Sequence, residues 1–270
     1  MTAEFPILEF DPTPTAILEP RPPQLTVIPP NGAVICFFAD VLAALLAEGR
    51  LQEVGAMGSE IGRHPLYLMQ HKGQQMLVFH PGVGAPLAAG LLEEVIALGV
   101  KNFIVCGGCG VLDKEIAAGH PVILTAAVRD EGTSYHYMPP GRLALPGPKA
   151  TAALQKILEQ SGLEFRTGIS WTTDAIYRET ATRRARRLAQ GCSVVEMEAA
   201  AFFAVAGFRR VEFGQLVYGG DLVVPEGWDG RAWHKRTDDR RLMFELAADA
   251  LLELLELEER GAVKMEEQGA

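Results

Sequence analysis

The 270-residue sequence predicts an α/β fold, a single domain in which a mixed central β-sheet is flanked by helices. Two observations predict it. Short apolar runs typical of buried strands alternate along the chain with amphipathic stretches of helical period. Glycine-containing segments follow several of the strands, at the edge of the sheet where α/β proteins bind ligands. With 48% apolar residues, the chain can form a substantial core.

The chain divides into three predicted parts. Residues 1–24 are rich in proline, and we expect an extended arm that lies on the body or on a partner subunit. The α/β domain is expected over residues 25–258, followed by a C-terminal tail over residues 259–270. The N-terminus lacks the basic start and apolar run of a signal peptide, and no apolar stretch reaches the ~18 residues of a membrane span. We therefore expect a cytoplasmic protein.

The first half of the domain contains strands, a hairpin and a helix. "QLTVIPP" and "AVICFFA" are strand-like, and "PLYLMQHKGQQMLVFHPGVG" predicts a hairpin that turns at Lys72 and Gly73. "PLAAGLLEEVIALG" predicts a helix with Pro86 in its first turn and Gly99 at its end. "KNFIVCGG" predicts a short buried strand.

The second half continues the alternation. Strands are expected in "GHPVILTAAVRD", "FRTGISWTTD" and "VEFGQLVYGGD". Helices are expected in "PKATAALQKILEQSG", in "RETATRRARRLAQG" and in the long "DDRRLMFELAADALLELLELEER". Four arginines of the second helix (Arg183, Arg184, Arg186 and Arg187) are interpreted as a solvated face, because a net charge of −9 argues against nucleic-acid binding.

The four cysteines fit a reducing compartment. "CGGC" at 106–109 has the spacing of a redox or zinc motif, but no second pair of ligands or nearby histidine completes a zinc site. We interpret it as a tight glycine turn, and we expect no metal.

Two glycine-rich segments follow strands. "PGVGAP" at 81–86 places glycine amides before a helix N-terminus, and "CGGCG" at 106–110 forms a second such loop. Amides of this kind suit an anion or a polar ligand. Neither segment is a dinucleotide-binding G-x-G-x-x-G motif followed by an acid.

Two acidic segments carry more specific signals. In "SVVEMEAAAFFAVA" Glu196 and Glu198 flank Met197 where a strand changes to a helix, and a carboxylate there can accept hydrogen bonds from the two hydroxyls of a ribose. An acid stabilised by the helix dipole is the alternative. Asp221 in "YGGD" is placed either to protonate a leaving base or to cap a helix.

Together these segments resemble, in order over residues 25–255, the nucleoside phosphorylase family that includes uridine phosphorylase and hexameric bacterial purine nucleoside phosphorylases. "PGVGAPLAAGLLEEVIALGVKNFIVCGGCGVLDKEIAAGHPVILTAAVRDEGTSYHY" is similar to the family's Gly-x-Gly-x-Pro loop and the segments after it. "TTDAIY", "VVEMEAAAFFAVA" and "YGGD" are similar to its base loop, its E-M-E signature and the purine branch's V-S-D.

The resemblance implies roles for individual residues. Glu198 would accept the ribose hydroxyls, Met197 would pack under the sugar, and Glu196 would support their turn. Ile176 and Tyr177 would lie beside the base, and Asp221 would be the general acid. The family also forms dimers, often assembled as trimers of dimers, so a homo-oligomer is implied.

The phosphate positions depart from the family pattern. Val105 and Gly108 stand where the family has an arginine and a hydroxyl, and the N-terminal phosphate loop lacks its Asp and Arg. Backbone amides at Gly84, Gly107 and Gly108 are therefore the candidate anion donors, with Arg178 and Arg129 as candidate replacements for the missing charge; Arg63 lies near the family's partner-subunit arginine.

Three functions remain open at this point. Phosphorolysis of a nucleoside, with inorganic phosphate as co-substrate and no cofactor, is preferred. Hydrolysis by water would need a carboxylate base, for which Glu60 is the candidate. A non-catalytic nucleoside-binding protein is the third. The sequence leaves open whether the base is a purine or uracil.

Overall fold

The structure, a computed structural model, describes residues 4–269, with side chains described through residue 261. Strands and helices alternate along most of this range. The strands are β1 Gly32–Cys36, β2 Leu51–Ser59, β3 Gly62–His71, β4 Gln74–Phe79, β5 Asn102–Val111, β6 Pro121–Asp130, β7 Leu143–Ala144, β8 Arg166–Thr173, β9 Cys192–Glu196, β10 Glu212–Val224 and β11 Gly227–Asp229. The helices are α1 Ala39–Ala47, α2 Ala85–Ala97, α3 Pro148–Ser161, α4 Ala181–Ala189, α5 Ala199–Arg209 and α6 Thr237–Gly269.

The strands form one mixed sheet, as the sequence predicts. Its order is β11-β10-β6-β8-β9-β5-β1-β4-β3-β2, with β7 paired to β6. Because β10 also pairs with β5, the strands β10, β6, β8, β9 and β5 close into a ring. The connection places the ends of β5, β9 and β10 next to one another, and the candidate site lies there.

Helices cover both faces of the sheet. One apolar core packs α2 and α5 against it, and a second packs α1, α3 and α6 against the opposite face. Alternate residues of the central strands supply the two cores: Phe103 and Val105 of β5 face the first, whereas Ile104 and Cys106 face the second. The central strands therefore carry apolar residues on both faces.

The predicted hairpin and the helix after it are confirmed. Lys72 and Gly73 form the turn between β3 and β4 with φ of 47° and 89°. The α2 helix starts after Gly84 (φ 93°), and Gly99 (φ 95°) follows its end. Positive φ favours glycine at both helix boundaries.

The prediction that "CGGC" is a tight turn is wrong. Gly107, Gly108 and Cys109 continue β5 and pair with Val217, Tyr218 and Gly219 of β10. Likewise, β10 does not end at Asp221 but extends to Val224, with an irregular register between Gly219 and Leu222. Glycine-rich sequence was interpreted as a turn, but neighbouring strands hold this backbone extended.

Some elements differ from expectation at the N-terminal side. "QLTVIPP" forms only an isolated bridge between Leu25 and Gly55, because its prolines cannot donate to a ladder. The α1 and β2 elements are not among those expected from the sequence, and neither are the short strands β7 and β11 farther along the chain. In the predicted arm, the Pro14 carbonyl accepts a hydrogen bond from Arg209 of α5 at 3.3 Å.

The C-terminal helix continues past residue 258, where a tail was expected to begin. Residue 270 of that tail and residues 1–3 of the arm lie outside the described residues. Over residues 4–269, no helix combines the length and the apolar character that crossing a membrane requires.

Candidate active site

A cavity of about 850 Å³ opens beside the carboxyl-terminal halves of β5, β9 and β10. This volume suits a small-molecule ligand. Its acidic side chains are those of Glu179, Glu196, Glu198 and Asp221. Its aromatic side chains are those of Phe37, Phe38, Tyr177, Tyr218, Trp228 and Trp233. Arg240 is the single cationic side chain among the lining residues described.

Glu196 holds the turn between β9 and α5. Its Oε1 accepts hydrogen bonds from the hydroxyls of Ser170 (2.8 Å) and Thr172 (2.6 Å), both on β8. Its Oε2 accepts from the backbone amides of Glu198 (2.7 Å) and Ala199 (2.6 Å). Burial raises the pKa of Glu196, and these four bonds oppose the rise. The bonds explain how an acid is accommodated in an apolar segment: both oxygens are satisfied.

Glu198 is fixed by the glycine loop that precedes α2. The Gly84 amide, at the start of α2, donates to its Oε1 at 2.5 Å. Burial and the neighbouring Glu196 raise the pKa of Glu198 to about 8. Met197 lines the cavity between the two acids. Glu196, Met197 and Glu198, which together form the acidic turn, therefore all line the cavity. Gly84 does not line the cavity, and it contacts the acidic turn through its hydrogen bond to Glu198.

Asp221 lines the same cavity from β10. Its Oδ2 accepts a hydrogen bond from the indole nitrogen of Trp228 at 2.6 Å. Glu179, just after the predicted base loop, is a second carboxyl there, and burial together with the charge of Asp221 raises its pKa to about 7. The two acids form a pair of which one member can hold a proton near neutral pH.

The predicted base residues lie at the mouth of the cavity. Ile176 and Tyr177 occupy a 3₁₀ turn, Ile176–Arg178, after β8. Their exposed fractions are 47% and 93%. Both line the cavity, so they are placed to contact a ligand that enters it.

The glycine segment of β5 presents an incomplete strand edge to this cavity. On one edge β10 pairs with β5 from Asn102 to Val111. On the other edge β1 ends opposite Cys106, and β9 joins only at Gly110. Residues 107–109 therefore lack a described strand partner on that edge. Gly107 and Gly108 line the cavity, so an amide on this edge can donate to a ligand.

The two arginines proposed to replace the missing phosphate charge lie outside the cavity lining. The Arg129 guanidinium donates to the Ser134 hydroxyl (2.8 Å) and to the carbonyls of Pro139 (2.7 Å) and Met138 (3.2 Å). These bonds hold the loop after β6. Arg178 is exposed on the base-side turn. Neither residue lines this cavity in the described part of the chain, so an anion-binding role for Arg129 or Arg178 stays a prediction.

The hairpin between β2 and β3 is also removed from the cavity lining. Arg63 forms an exposed ion pair with Glu53. Glu60 is exposed at the tip of that hairpin. Neither residue lines the cavity within this chain.

Three polar cavity residues were missed from the sequence. Glu179 follows the predicted base loop "TTDAIY", but no site role was predicted for it. Gln215, which pairs with Val105 across the β10–β5 ladder, is buried, and its Oε1 has no partner among the described atoms. Arg240 is on α6, for which the sequence predicts only a long helix. The proximity of Glu179 to "TTDAIY" was the one usable signal.

The cysteines are packed into the protein interior. Cys106 contributes to one apolar core and Cys109 to the other, because residues three apart in a strand point to opposite faces. Burial raises the pKa of both thiols. Among the residues that the structure describes, no group of three or more His, Cys, Asp or Glu side chains could hold a metal ion.

Comparison with known proteins supplies a family assignment. The family described as "Phosphorylase superfamily" matches residues 32–256. A guanosine phosphorylase of Halorubrum lacusprofundi is 31% identical over 155 residues, covering 57% of this chain and 64% of the relative. A uridine phosphorylase of Treponema pallidum is 33% identical over 181 residues, covering 62% of this chain and 70% of the relative. The match thus spans about two thirds of these relatives.

Solved structures share the fold. A purine nucleoside phosphorylase from Toxoplasma gondii, in complex with immucillin-H, superposes with a TM-score of 0.73 at 21% identity, covering 88% of this chain and 97% of the other. An AMP nucleosidase from Bacteroides thetaiotaomicron gives a TM-score of 0.69 at 22% identity, covering 86% and 91%. At these identities the likeness concerns the fold, and it confirms the predicted architecture.

Proposed function

Because this chain belongs to the phosphorylase superfamily, we propose that it is a nucleoside phosphorylase, a pentosyltransferase that cleaves the N-glycosidic bond of a nucleoside with inorganic phosphate. One observation carries the proposal: the acidic turn with Glu198 and the acid Asp221 line one cavity of ligand size. Relatives named for guanosine and for uridine leave both purine and uridine-type nucleosides as candidate substrates.

The acidic turn binds the sugar in this proposal. Glu198 accepts hydrogen bonds from the ribose hydroxyls, and Met197 packs beneath the sugar. Glu196 contributes by fixing the turn, since its four hydrogen bonds occupy both oxygens. Because its pKa is raised, Glu198 is protonated in the free protein at neutral pH. The diol binds to the ionised carboxylate, so binding of the substrate favours loss of this proton.

The reaction needs one nucleophile and one acid. An oxygen of phosphate attacks the anomeric carbon of the sugar, the bond from that carbon to the base breaks, and its electron pair moves onto the base. Asp221 donates a proton to the base, so the products are a sugar 1-phosphate and the free base. Glu179 is placed to return a proton to Asp221 or to replace it as the donor. Ile176 and Tyr177 contact the base. No cofactor takes part.

We also propose a cytoplasmic homo-oligomer, a dimer or a trimer of dimers. Tyr177 and Trp228 at the cavity mouth expose 93% and 67% of their surface, and large exposed aromatic groups beside a site favour a covering partner. Light scattering coupled to gel filtration tests this part. A monomer at micromolar concentration would contradict it.

The test of the function is a panel of purine and pyrimidine nucleosides, incubated with and without phosphate. Chromatography measures the free base, and the sugar product is identified as a phosphate ester or a free sugar. Base release that requires phosphate is the expected result. Release without phosphate would instead establish a hydrolase. Binding of nucleosides without release would indicate a protein that retains the site but not the chemistry.

A further inference from the structure

Arg240 is held in a mostly buried position at the cavity. It belongs to the first turns of α6, and its side chain is 13% exposed. One guanidinium nitrogen, Nη1, lies 3.0 Å from Oδ2 of Asp40. The guanidinium also lies 4.9 Å from the ring centroid of Phe38 and 5.9 Å from that of Trp233. These contacts hold the guanidinium in one orientation, whereas the side chain of an unpaired surface arginine would be mobile.

This arrangement leaves hydrogen-bonding groups unused. The Nε of Arg240 and the Oδ1 of Asp40 are both buried without a described partner. A guanidinium carries five N–H donors, and buried donors of this kind are nearly always satisfied. Of these two atoms only the Arg240 Nε is a donor, and a cavity whose one cation keeps a free N–H donor is suited to an anionic ligand group.

The residues around Arg240 connect it to the incomplete edge of β5. Phe38, under the guanidinium, packs against Tyr218 with ring centroids 5.7 Å apart. The Tyr218 hydroxyl donates to the Trp233 carbonyl at 3.1 Å, and its ring lies 3.4 Å from the position that a Cβ on residue 108 would take. Arg240 and Gly108 therefore border the same pair of aromatic rings, Phe38 and Tyr218, and all four residues line the cavity.

The acid lies toward the other end of the same strand. A Cβ on residue 110 would lie 3.5 Å from Oδ2 of Asp221. Residues 108 and 110 share one face of β5 and are separated by about 6–7 Å of strand rise. A ligand that spans this distance contacts the cationic end and the acidic end at the same time. The proposed reaction requires this, because phosphate attacks one side of the sugar and the base leaves from the other.

We propose that Arg240, oriented by Asp40, binds a phosphate group of the substrate complex together with the open backbone edge at residues 107–109. This inference rests on the proposed function and names the residue that supplies its missing positive charge. The position at which the resemblance places an arginine is occupied here by Val105, which is fully buried in the first core. The charge reaches the cavity from α6 instead.

The phosphate group has two chemical sources. It is either inorganic phosphate, the nucleophile, or the 5′-phosphate of a nucleotide substrate. Both present the same tetrahedral anion to a guanidinium. Kinetics with a nucleoside plus phosphate, and separately with a nucleoside 5′-monophosphate, distinguish them.

The test compares Arg240→Met with Arg241→Met. Arg241 is the next residue of α6, carries the same charge, and pairs with Glu48 and Glu245 away from the cavity. We expect Arg240→Met to raise the KM for phosphate roughly ten- to a hundredfold, the range for losing a charge-assisted contact. The KM for the nucleoside should stay within about threefold, and Arg241→Met should behave like the wild type.

Direct binding separates this inference from the proposed function. Calorimetric titration of inorganic phosphate into the full-length protein without nucleoside is expected to give binding that Arg240→Met weakens to the same extent. If the wild type releases no base but this difference persists, the proposed function fails and the anion site stands. If only cleavage of the 5′-monophosphate responds to Arg240→Met, the bound group is the nucleotide's own phosphate.

Two outcomes overturn the inference. One is equal phosphate binding and equal kinetics, with either phosphate source, in Arg240→Met and Arg241→Met. The other is obtained with a second variant, Arg240→Lys, which replaces Arg240→Met if that variant does not fold as judged by circular dichroism. Lysine keeps the charge but not the two-pronged geometry, so we expect at least a threefold weaker phosphate affinity. An unchanged affinity in a folded Arg240→Lys would refute the role of the guanidinium.

Discussion

The Gly84 amide donates a hydrogen bond to Oε1 of Glu198 at 2.5 Å, across 114 residues of sequence. The bond joins the start of α2 to the start of α5 at the candidate active-site cavity. The φ of 93° at Gly84 directs its backbone there, and the adjacent Glu196 fixes the opposite side of the turn. A glycine loop and an acidic motif, each a weak signal alone, are thus two parts of one site.

Replacing Glu198 by Gln or Ala should abolish nucleoside cleavage while the fold is retained. Each lost charged hydrogen bond to a ribose hydroxyl is worth about 1.5–3 kcal/mol, and more if it strengthens in the transition state. Steady-state kinetics measures the loss, and Glu159→Gln, on the exposed face of α3, is the control. Activity within threefold of wild type, or equal use of deoxyribosides and ribosides, would contradict the ribose role.

Stability should depend on pH through Glu198. Its pKa is about 8 in the folded protein against an ordinary 4.5, so between these values the folded state keeps a proton that the unfolded state has lost. Rising pH therefore favours unfolding, with a slope of at most about 1.4 kcal/mol per pH unit from this group, and the effect ends above pH 8. Glu198→Gln removes this contribution.

Urea denaturation of both proteins at several pH values between 5 and 8.5 checks this expectation. As pH rises, the unfolding free energy of the wild type should fall relative to that of Glu198→Gln. Titrating groups that do not interact with residue 198, including Glu179, are common to both proteins and cancel in the difference, whereas the charge of Glu196 acts on Glu198 and its titration is part of the measured difference. Parallel curves would show that the Glu198 carboxyl has an ordinary pKa.

The acid pair should divide the catalytic role unequally. Asp221→Asn is expected to lower kcat by roughly 10²–10⁴-fold, the range for general acid catalysis. Glu179→Gln should lower it less and mainly change the alkaline limb of the kcat profile, since the pKa of Glu179 is near 7. The pH profiles of both variants with a purine nucleoside decide the point. A larger loss in Glu179→Gln would make Glu179 the proton donor.

Gly108→Ser should improve phosphate use. Residue 108 has no positive φ, and an added Cβ would be in ordinary contact with the Tyr218 ring at 3.4 Å. The hydroxyl would add a donor at the cavity, worth about 1 kcal/mol, or roughly a fivefold lower KM for phosphate. The matched change Gly110→Ser places a Cβ 2.8 Å from Val195 and should destabilise the protein. Phosphate titrations and thermal unfolding measure both, and an unchanged or higher KM in Gly108→Ser would count against phosphate binding at β5.

The sequence by itself determined the fold class, most of the strands and helices, and the family. Alternation of apolar strands with helices of 3.6-residue period specified the α/β class, and "HKGQ" specified a hairpin, because these signals depend on residues close in the chain. The ordered motifs were sufficient to predict the superfamily. They also indicated Glu198, Met197 and Asp221, whose side chains the structure places in one cavity.

Only the tertiary structure decided which residues meet. The glycines of "CGGCG" are extended because β10 pairs with them, and a local interpretation as a turn ignores that partner. Neither Arg129 nor Arg240 belongs to a recognisable motif in the sequence. Long-range packing commits Arg129 to carbonyls of its own loop and places Arg240, on a helix more than 100 residues from β5, at the cavity. Contacts of this kind arise from the closure of the sheet and the docking of α6, so no short stretch of sequence contains them.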